Sequence, residues 1–159
     1  MKMTATPTRA STPEAGALCL DRQLCFALYA ASNQVTRLNR AVLEPLGLTY
    51  PQFLVMMVLW EYAPCTVSDI GARLMLDSGT LTPLLKRMQA SGLITRTRDP
   101  HDERCVRIAL SPTGRALKRR ANAIPALVQC RINLPAATLD ALREQLQALI
   151  IATGSAADL

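Results

Sequence analysis

The order of local signals in the middle of the chain limits it to few folds. A capping pair, Thr66 with Asp69, predicts the start of a helix, and a polar turn at residues 77–79 precedes a second helix. The apolar residues of that second helix fall on one face: Leu81, Leu84, Leu85 and Met88. Two segments that alternate in polarity follow and predict two β-strands, over residues 94–98 and 106–110.

Two helices joined by a short turn that contains glycine are typical of a helix-turn-helix. The two strands after it are joined by a polar turn, DPHDER. A helix-turn-helix followed by a basic hairpin is a winged helix, in which the second helix enters the major groove of DNA and the hairpin can reach the neighbouring groove. The sequence therefore predicts a mainly α-helical protein with a two-stranded β-hairpin wing.

The N-terminal part of the chain predicts an arm and a long helix. Residues 1–17 are rich in Thr, Ala, Ser and Pro and have no apolar period, so we expect a flexible arm. An amphipathic helix is expected after Leu20, with Asp21 as its N-cap and its end at Pro45 and Gly47. Its apolar residues recur at steps of three and four: Leu24, Leu28, Ala31, Val35, Leu38, Val42 and Leu46.

Similar signals bound the remaining helices. Thr49 and Gln52 form a capping box before an apolar segment, FLVMMVLW, so we expect the helix there to be buried. Ser111 is expected to cap a helix that Pro125 should kink. A last helix is expected over residues 136–152, with apolar residues at steps of three and four: Leu139, Leu142, Leu146 and Leu149.

The helices at the two ends of the chain carry more apolar surface than one small winged helix can cover. The length of the chain predicts one domain, over residues 18–159, in which residues 49–111 bind DNA. Residues 18–48 and 112–155 are expected to provide N- and C-terminal dimerisation helices. The alternative is that these helices pack only within one chain.

The positive charge is concentrated in one region. The chain carries a formal net charge of +6, with 18 Lys and Arg against 12 Asp and Glu. Residues 86–120 hold ten of these cations and three of the carboxylates, a net +7, which leaves eight cations and nine carboxylates, a net −1, for the rest. A basic region on a near-neutral protein favours contact with the phosphates of DNA. A charged face that only contacts solvent is the alternative.

Composition argues against several other functions. No apolar run reaches the roughly 18 to 20 residues of a membrane-spanning helix, and the N-terminus lacks the apolar centre of a signal peptide, so we expect a soluble, cytoplasmic protein. The five cysteines show no C-x-x-C spacing, and His101 is the only histidine. We therefore expect no disulfide scaffold, no metal site, no cofactor and no histidine-based catalytic site.

Hydroxyl groups and cations mark one face of the second helix of the helix-turn-helix. Ser78, Thr80 and Thr82 lie at or near its N-terminus, where their hydroxyls and the free backbone amides can meet phosphate. Lys86 and Arg87 can face the same side, away from the apolar residues.

Three segments of the sequence are similar to one known family: LDRQLCFALYAASNQVTRLNRAVLEPLGLTYPQFLVMMVLWE, LDSGTLTPLLKRMQASGLITRTRDPHDER and ALSPTGRAL. They resemble MarR-type winged-helix repressors, and specifically the OhrR-like branch that senses organic hydroperoxides, from about residue 18 to about residue 130. The resemblance implies a homodimeric repressor on a pseudo-palindromic DNA operator, with half-sites about one helical turn apart.

The resemblance also implies which residues contact DNA. Arg104 would enter the minor groove and Asp102 would orient it, as in the D-x-R wing motif of the family. The residues that would face the major groove are Ser78, Thr80, Thr82, Lys86 and Arg87. Two of these assignments have simpler alternatives, since Arg87 could be a solvated helix residue and Arg104 could pair only with Asp102.

Cys25 is the candidate sensing thiol. It falls in the first turn of the first long helix, near the positive end of the helix dipole, and the thiolate is the form that attacks a peroxide. From spacing alone, a small cysteine on such a helix is ordinary packing. The resemblance makes Cys25 the peroxidatic cysteine and Cys130 the resolving cysteine, which implies an intersubunit disulfide that moves the end helices. A buried or free thiol is the alternative for Cys130.

The branch usually brings two tyrosines from the partner subunit to the reactive sulfur. Tyr50 matches one of them, but the other position reads Asn39. An Asn amide can donate a hydrogen bond yet is shorter than tyrosine. Tyr29 is a candidate local substitute, with core packing as the other interpretation. Of the remaining thiols, Cys19 is a possible competing disulfide partner or a surface thiol, Cys105 is expected to be exposed on the wing, and Cys65 has no assigned function.

Three functions are compatible with these observations. The first is a redox-switched repressor that binds DNA when reduced and releases it when a peroxide oxidises Cys25. The second is a repressor relieved by a small apolar or phenolic ligand in the dimer cleft, with incidental cysteines. The third is a thiol peroxidase, which the basic hairpin and the lack of a histidine base argue against. The expectation is a regulator, not an enzyme.

Overall fold

The computed structural model describes residues 18–99 and 105–154. The chain divides into two compact units, with the boundary inside the first long helix, between Arg37 and Leu38. Seven α-helices and three short β-strands follow one another along the described residues.

The first long helix, α1, spans Leu24–Leu43. A separate 3-10 turn, Leu20–Arg22, precedes it, and Gln23 between the two is extended, with φ −85° and ψ 118°. The prediction that Asp21 caps this helix is therefore wrong, because Asp21 lies inside the 3-10 turn. The predicted end is confirmed: a second 3-10 turn, Glu44–Leu46, leads to Gly47, whose φ of 66° is in the left-handed region that suits glycine.

Capping boxes start the next two helices, as the sequence predicts. Helix α2 spans Tyr50–Tyr62, and the Thr49 backbone amide donates to Oε1 of Gln52 at 2.8 Å. Helix α3 spans Val67–Leu74 and begins with the pair Thr66 and Asp69. Most of the apolar side chains of α2 are buried, which confirms the expectation for this segment: Phe53, Val55, Met56, Val58 and Leu59.

Helix α4 spans Ser78–Ala90 and completes the helix-turn-helix. Its position differs from the prediction by two residues, because Met75 ends α3 with a φ of 55° and Asp77 already caps α4. The turn is therefore 75–77, and Gly79 is helical. The glycine that the turn requires is Gly71, where a Cβ would lie 2.7 Å from the Leu76 carbonyl oxygen.

The two strands of the wing form as predicted but belong to a larger sheet. Strand β2 (Ile94–Arg98) pairs with strand β3 (Val106–Leu110), with Ile94 opposite Leu110. A two-residue strand missed from the sequence, β1 (Cys65–Thr66), pairs with the other edge of β3, so the antiparallel order is β1-β3-β2.

Three helices complete the described chain. Helix α5 spans Pro112–Ala121 and is capped by Ser111, as expected. The chain then breaks at Asn122 and Ala123 before α6 (Ile124–Ile132). The expected single kinked helix is thus two helices, because Pro125 occupies the first turn of a new helix, which tolerates a missing amide hydrogen. Helix α7 spans Ala136–Gly154 and has no buried residue.

One apolar core joins α2, α3, α4, the sheet and α5 in the second unit. Its fully buried side chains include Met56, Leu59, Ile70, Leu81, Leu85, Met88 and Ile108. Among the described residues, no single helix has the length and apolar character to cross a membrane. Only the bent pair Leu24–Leu46 and Tyr50–Tyr62 meets those criteria when the two are taken together.

Candidate functional site

Helix α4 separates its apolar and polar residues onto opposite faces. Leu81, Leu84, Leu85 and Met88 are buried, and Thr82 is half-buried. The other residues expected to face the major groove are exposed: Ser78, Thr80, Lys86 and Arg87. The structure thus places four of these five polar side chains where another molecule can reach them, and their role in DNA binding stays a prediction.

The N-terminus of α4 is capped by Asp77. Its Oδ1 accepts a hydrogen bond from the Thr80 backbone amide at 2.8 Å, and its Oδ2 accepts one from the Thr80 hydroxyl at 2.9 Å. The backbone bond first, and then the hydroxyl bond, lower the pKa of Asp77 below its ordinary value. The Thr80 amide and hydroxyl hydrogen are therefore occupied, unlike the free groups that the sequence led us to expect.

The cations of α4 and three cations of α5 differ in their contacts. Within the described ranges, the side chains of Lys86 and Arg87 on α4 make no hydrogen bond or ion pair. Three cations of α5 donate instead to backbone carbonyls, at 2.6 to 3.0 Å: Arg115 to Leu110, Lys118 to Trp60 and Arg120 to Pro45. The net charge of the basic region thus overstates the number of cations that are available to phosphate.

The base of the wing is held by an ion pair. Nε of Arg107 lies 2.5 Å from Oδ2 of Asp99, and the Asp99 backbone amide donates to the Cys105 carbonyl at 2.9 Å. The hydrogen bond and the charge of Asp99 raise the pKa of Arg107 above its ordinary value. The predicted minor-groove pair, Asp102 and Arg104, lies outside the described residues.

Helix α5 is fastened to α2 and to the wing by four residues, which we call the α5 clamp: Trp60, Ser111, Gly114 and Lys118. The Trp60 indole donates to the Gly114 carbonyl at 2.9 Å, and Lys118 donates to the Trp60 carbonyl at 3.0 Å. The Ser111 hydroxyl lies 2.6 Å from the Gly92 carbonyl oxygen. Gly114 touches the wing base so closely that a Cβ would lie 2.1 Å from the Leu93 carbonyl oxygen. The sequence did not predict the roles of Trp60 and Lys118. Trp60 and Gly114 are 54 positions apart along the chain, and Lys118 and Trp60 are 58 apart, so no local pattern links them.

Cys25 is the second residue of α1, so its predicted place in the first turn of that helix is confirmed. Its thiol is exposed and free. Neighbouring apolar side chains are exposed as well: Leu18, Leu20, Leu24, Phe26 and Tyr29. Tyr29 is 66% exposed in the single chain, so it is not buried there, and its role stays a prediction.

Cys130 is also exposed and free. It lies on α6 and lines an open recess of about 610 Å³ with Ala126, Gln129, Asn133, Leu134 and Pro135. Of the alternative stated for Cys130, a buried or free thiol, the single chain contradicts the buried thiol and agrees with the free one. Cys25 belongs to the first compact unit and Cys130 to the second.

The other three cysteines have distinct surroundings. Cys65 is buried in the core, and its Sγ donates to the Tyr62 carbonyl at 3.2 Å. Burial, and then the charge of Asp69, raise the pKa of the Cys65 thiol. Cys19 and Cys105 are half-buried, so the expectation that Cys105 is exposed is wrong in degree.

The two positions linked to the family's tyrosines differ in exposure. Asn39, on α1, is a buried polar residue with only 4% of its surface exposed. Tyr50, the first residue of α2, is half-buried and packs against the apolar core. Among residues 18–99 and 105–154, no cluster of three or more His, Cys, Asp and Glu side chains could hold a metal ion.

Comparison with known proteins identifies relatives over most of the chain. The MarR family model matches residues 48–106. An organic hydroperoxide resistance transcriptional regulator of Bacillus subtilis (strain 168) is 50% identical over 109 residues, which cover 69% of this chain and 74% of that protein. The HTH-type transcriptional regulator TtmR of Methylorubrum extorquens (strain PA1) is 55% identical over 106 residues, covering 67% of this chain and 54% of that protein.

Solved structures of AbfR, a protein of Staphylococcus epidermidis, share the fold. Reduced AbfR bound to DNA matches with a TM-score of 0.72 and 32% identity, over 88% of this chain and 97% of that chain. Disulfide-formed AbfR matches with a TM-score of 0.60 and 34% identity, over 86% of this chain and 96% of that chain. The similarity therefore covers nearly the whole of AbfR in both states.

Proposed function

Because the chain belongs to the MarR family of DNA-binding transcriptional regulators, we propose that it is a dimeric repressor that releases its operator DNA when a peroxide oxidises Cys25. Proteins of this kind regulate transcription and are not enzymes. The observation that carries the redox proposal is the exposed thiol of Cys25 in the first turn of α1. We further propose that the protein acts in the cytoplasm.

The face of α4 supports the DNA-binding part of the proposal. Lys86 and Arg87 are exposed and make no ion pair in the described chain, so no internal contact has to break before they meet phosphate. A recognition helix of this type contacts base edges through its N-terminal residues, which here carry Ser78 and Thr80. We propose that Thr82 contributes from the same face and that Arg104, oriented by Asp102, enters the minor groove.

The exposed apolar side chains support a dimer. Helix α7 buries none of its 19 residues, and Leu142, Ile150 and Ile151 are each at least 45% exposed. Leaving so many apolar side chains in water is unfavourable by roughly 25 cal/mol for each Å², and a second chain would cover them. We propose that residues 18–48 and 112–155 form this interface and that two copies bind the two halves of a pseudo-palindromic operator.

The two exposed thiols support a disulfide switch. In the proposed reaction, the Cys25 thiolate attacks the terminal oxygen of an organic hydroperoxide, the O–O bond breaks, and the released alkoxide takes a proton to become an alcohol. Cys25 is then a sulfenic acid. The thiol of the partner subunit's Cys130 attacks its sulfur, which forms the S–S bond and releases water. The open recess around Cys130 supports such an approach, and AbfR has been solved in a disulfide form.

Tyr50 and Asn39 are the two residues proposed to surround the sulfur of Cys25. We propose that Tyr50 donates a hydrogen bond towards the sulfur of the other subunit. Asn39 is buried, so it can complete this environment only if the interface brings the sulfur close to it. Tyr29 lies one turn after Cys25 and is exposed, so it remains a candidate local donor.

A repressor relieved by a small ligand is the second candidate function. A cleft of about 480 Å³ beside α5 favours it, since this volume falls within the range of small-molecule sites. The cleft is lined by apolar residues that include Leu59, Trp60 and Leu110, and also by Arg115 and Lys118. Release of DNA by an apolar or phenolic compound, without oxidant and equally in wild type and Cys25→Ser, would support this function.

The experiment that tests the redox proposal compares operator binding by wild type, Cys25→Ser and Cys130→Ser, before and after cumene hydroperoxide or hydrogen peroxide. Wild type should release DNA and give a dimer band on a non-reducing gel, and Cys25→Ser should keep DNA bound. Cys130→Ser should lack the dimer band. Cys105→Ser, which alters a thiol outside the proposed reaction, should behave as wild type. Release of DNA by oxidised Cys25→Ser would refute the sensing role.

A further inference from the structure

We propose that Thr80 reads the operator as a hydrogen-bond acceptor, taking a hydrogen bond from the exocyclic amino group of an adenine or a cytosine in the major groove. This inference rests on the proposed function, since it requires α4 to enter that groove. It adds the polarity of one contact, which family membership does not supply.

The geometry starts from Asp77. Both oxygens of its carboxylate accept from the same residue, Oδ1 from the Thr80 backbone amide at 2.8 Å and Oδ2 from the Thr80 hydroxyl at 2.9 Å. Thr80 is the third residue of α4 and its side chain is exposed. The two bonds fix the orientation of an exposed side chain on the helix face that is proposed to meet DNA.

The direction of the hydroxyl bond follows from the charge of Asp77. Its pKa is lowered by these hydrogen bonds, so the carboxylate is ionised at neutral pH and can only accept. A hydroxyl has one hydrogen and two lone pairs, and the hydrogen of Thr80 is directed at Asp77. The Thr80 hydroxyl therefore has only its lone pairs left for a partner, so it can accept a hydrogen bond but cannot donate one.

An acceptor discriminates among the chemical groups of DNA. Phosphate oxygens carry no hydrogen, so Thr80 cannot bond them while it donates to Asp77. On base edges in the major groove, the hydrogen-bond donors are the N6 amino group of adenine and the N4 amino group of cytosine. The negative charge of Asp77 also disfavours the O6 and N7 acceptors of guanine. At the base next to Thr80, adenine or cytosine is therefore preferred over guanine or thymine.

The test begins with duplexes selected from a randomised pool by the reduced wild type. Each adenine and cytosine of the selected half-site is then replaced singly by N6-methyladenine or N4-methylcytosine, which keeps the base pair and puts a methyl group in place of the major-groove hydrogen. At one position, the methyl group should weaken wild-type binding by about 3- to 10-fold. Whether that base is adenine or cytosine identifies the donor.

Two variants report on the polarity of the contact. Thr80→Val keeps the shape but has no lone pairs, so it should lose the sensitivity to methylation at that position. Thr113→Val, the same change at an exposed residue of α5, should keep it. Asp77→Asn preserves the helix cap, but its amide can donate to the Thr80 hydroxyl, which frees the hydroxyl hydrogen. This variant should now accept guanine or thymine at the sensitive position.

A contact between Thr80 and phosphate would give a different pattern. Thr80→Val would then weaken every duplex equally, and no methylated position would separate it from wild type, which would overturn the inference. If the reduced wild type selects no sequence from the pool, the proposed DNA-binding function itself fails. The two failures are therefore distinguishable.

Discussion

The winged region, residues 49–111, and the last helix, α7, differ in how many of their apolar side chains are buried within the chain. In α4, four of thirteen residues are buried, and they join the core formed by α2, α3 and the sheet. In α7, none of nineteen residues is buried, although its leucines recur at helical spacing. The winged region therefore carries its own core, whereas α7 has an apolar stripe that only another surface can cover. We propose that the α2–α4 and sheet region is stabilised by its own core, and that α7 needs a second chain to cover its apolar side chains.

The largest expected effect comes from adding one methyl group at the contact between α5 and the base of the wing. In Gly114→Ala, the Cβ would lie 2.1 Å from the Leu93 carbonyl oxygen, a backbone atom that cannot move aside as a flexible side chain could. The variant should lose at least about 3 kcal/mol of unfolding free energy, measured by urea denaturation. Gly154→Ala, whose Cβ meets nothing within 4 Å at the end of α7, is the matched control and should be neutral or slightly stabilising.

Equal stabilities of Gly114→Ala and Gly154→Ala would show that α5 is not fixed against the wing base, and the contrast between the two regions would fail.

Truncating a leucine of α7 should weaken association rather than folding. Leu142 is 46% exposed in the single chain, so Leu142→Ala should cost about 1 to 3 kcal/mol of dimerisation free energy with little change in the helical content at high concentration. Analytical ultracentrifugation over a dilution series measures this. Glu144→Ala, on the opposite side of α7, should dimerise as wild type. A concentration-independent monomer for wild type would contradict the account of α7.

A smaller effect is expected for the indole bond of the α5 clamp. Trp60→Phe keeps the aromatic contact with Phe53 but loses the hydrogen bond to the Gly114 carbonyl. The Gly114 carbonyl then loses the indole as a donor in a part-buried site, so unfolding free energy should fall by about 1 to 2 kcal/mol. Lys118→Met, which removes the second bond of the clamp, should have a smaller effect because its ammonium group is exposed. Wild-type stability in Trp60→Phe would mean that the indole bond contributes nothing.

The last prediction concerns the rates at which two thiols, Cys65 and Cys130, are alkylated. Cys65 lies in the core of the winged region, where burial raises its thiol pKa, whereas Cys130 on α6 is exposed. At neutral pH the fraction of thiolate at Cys65 is therefore reduced, and iodoacetamide should alkylate Cys130 first in the reduced native protein. Mass spectrometry of timed digests measures both rates. In urea, where burial is lost, the two rates should converge; faster native labelling of Cys65 would contradict its buried position.

The sequence predicted the elements whose causes are local. The capping pairs Thr49 with Gln52 and Thr66 with Asp69 set helix starts within four residues, and both boxes form as expected. The wing strands were predictable for the same reason, since polar and apolar residues alternate over five consecutive positions in each strand. The buried face of α4 also followed from spacing alone.

Features that depend on distant residues were not predictable. Strand β1 has two residues and exists because Cys65 pairs with Ile108, 43 positions later. The α5 clamp joins Trp60 to Gly114, and neither residue carries a motif. Met75 adopts a left-handed conformation without being a glycine, which moved the predicted turn by two residues. The predicted site residues came from family resemblance and from helix faces, and the proposed disulfide partner of Cys25 would come from a second chain.

We propose that oxidation of this protein reversibly releases DNA from the winged region. The most direct measurement is fluorescence anisotropy of a labelled operator titrated with the same protein sample when reduced, after cumene hydroperoxide, and after re-reduction with dithiothreitol. The account predicts tight binding, then a loss of affinity of at least about tenfold, then recovery. Equal affinity in all three states would contradict it.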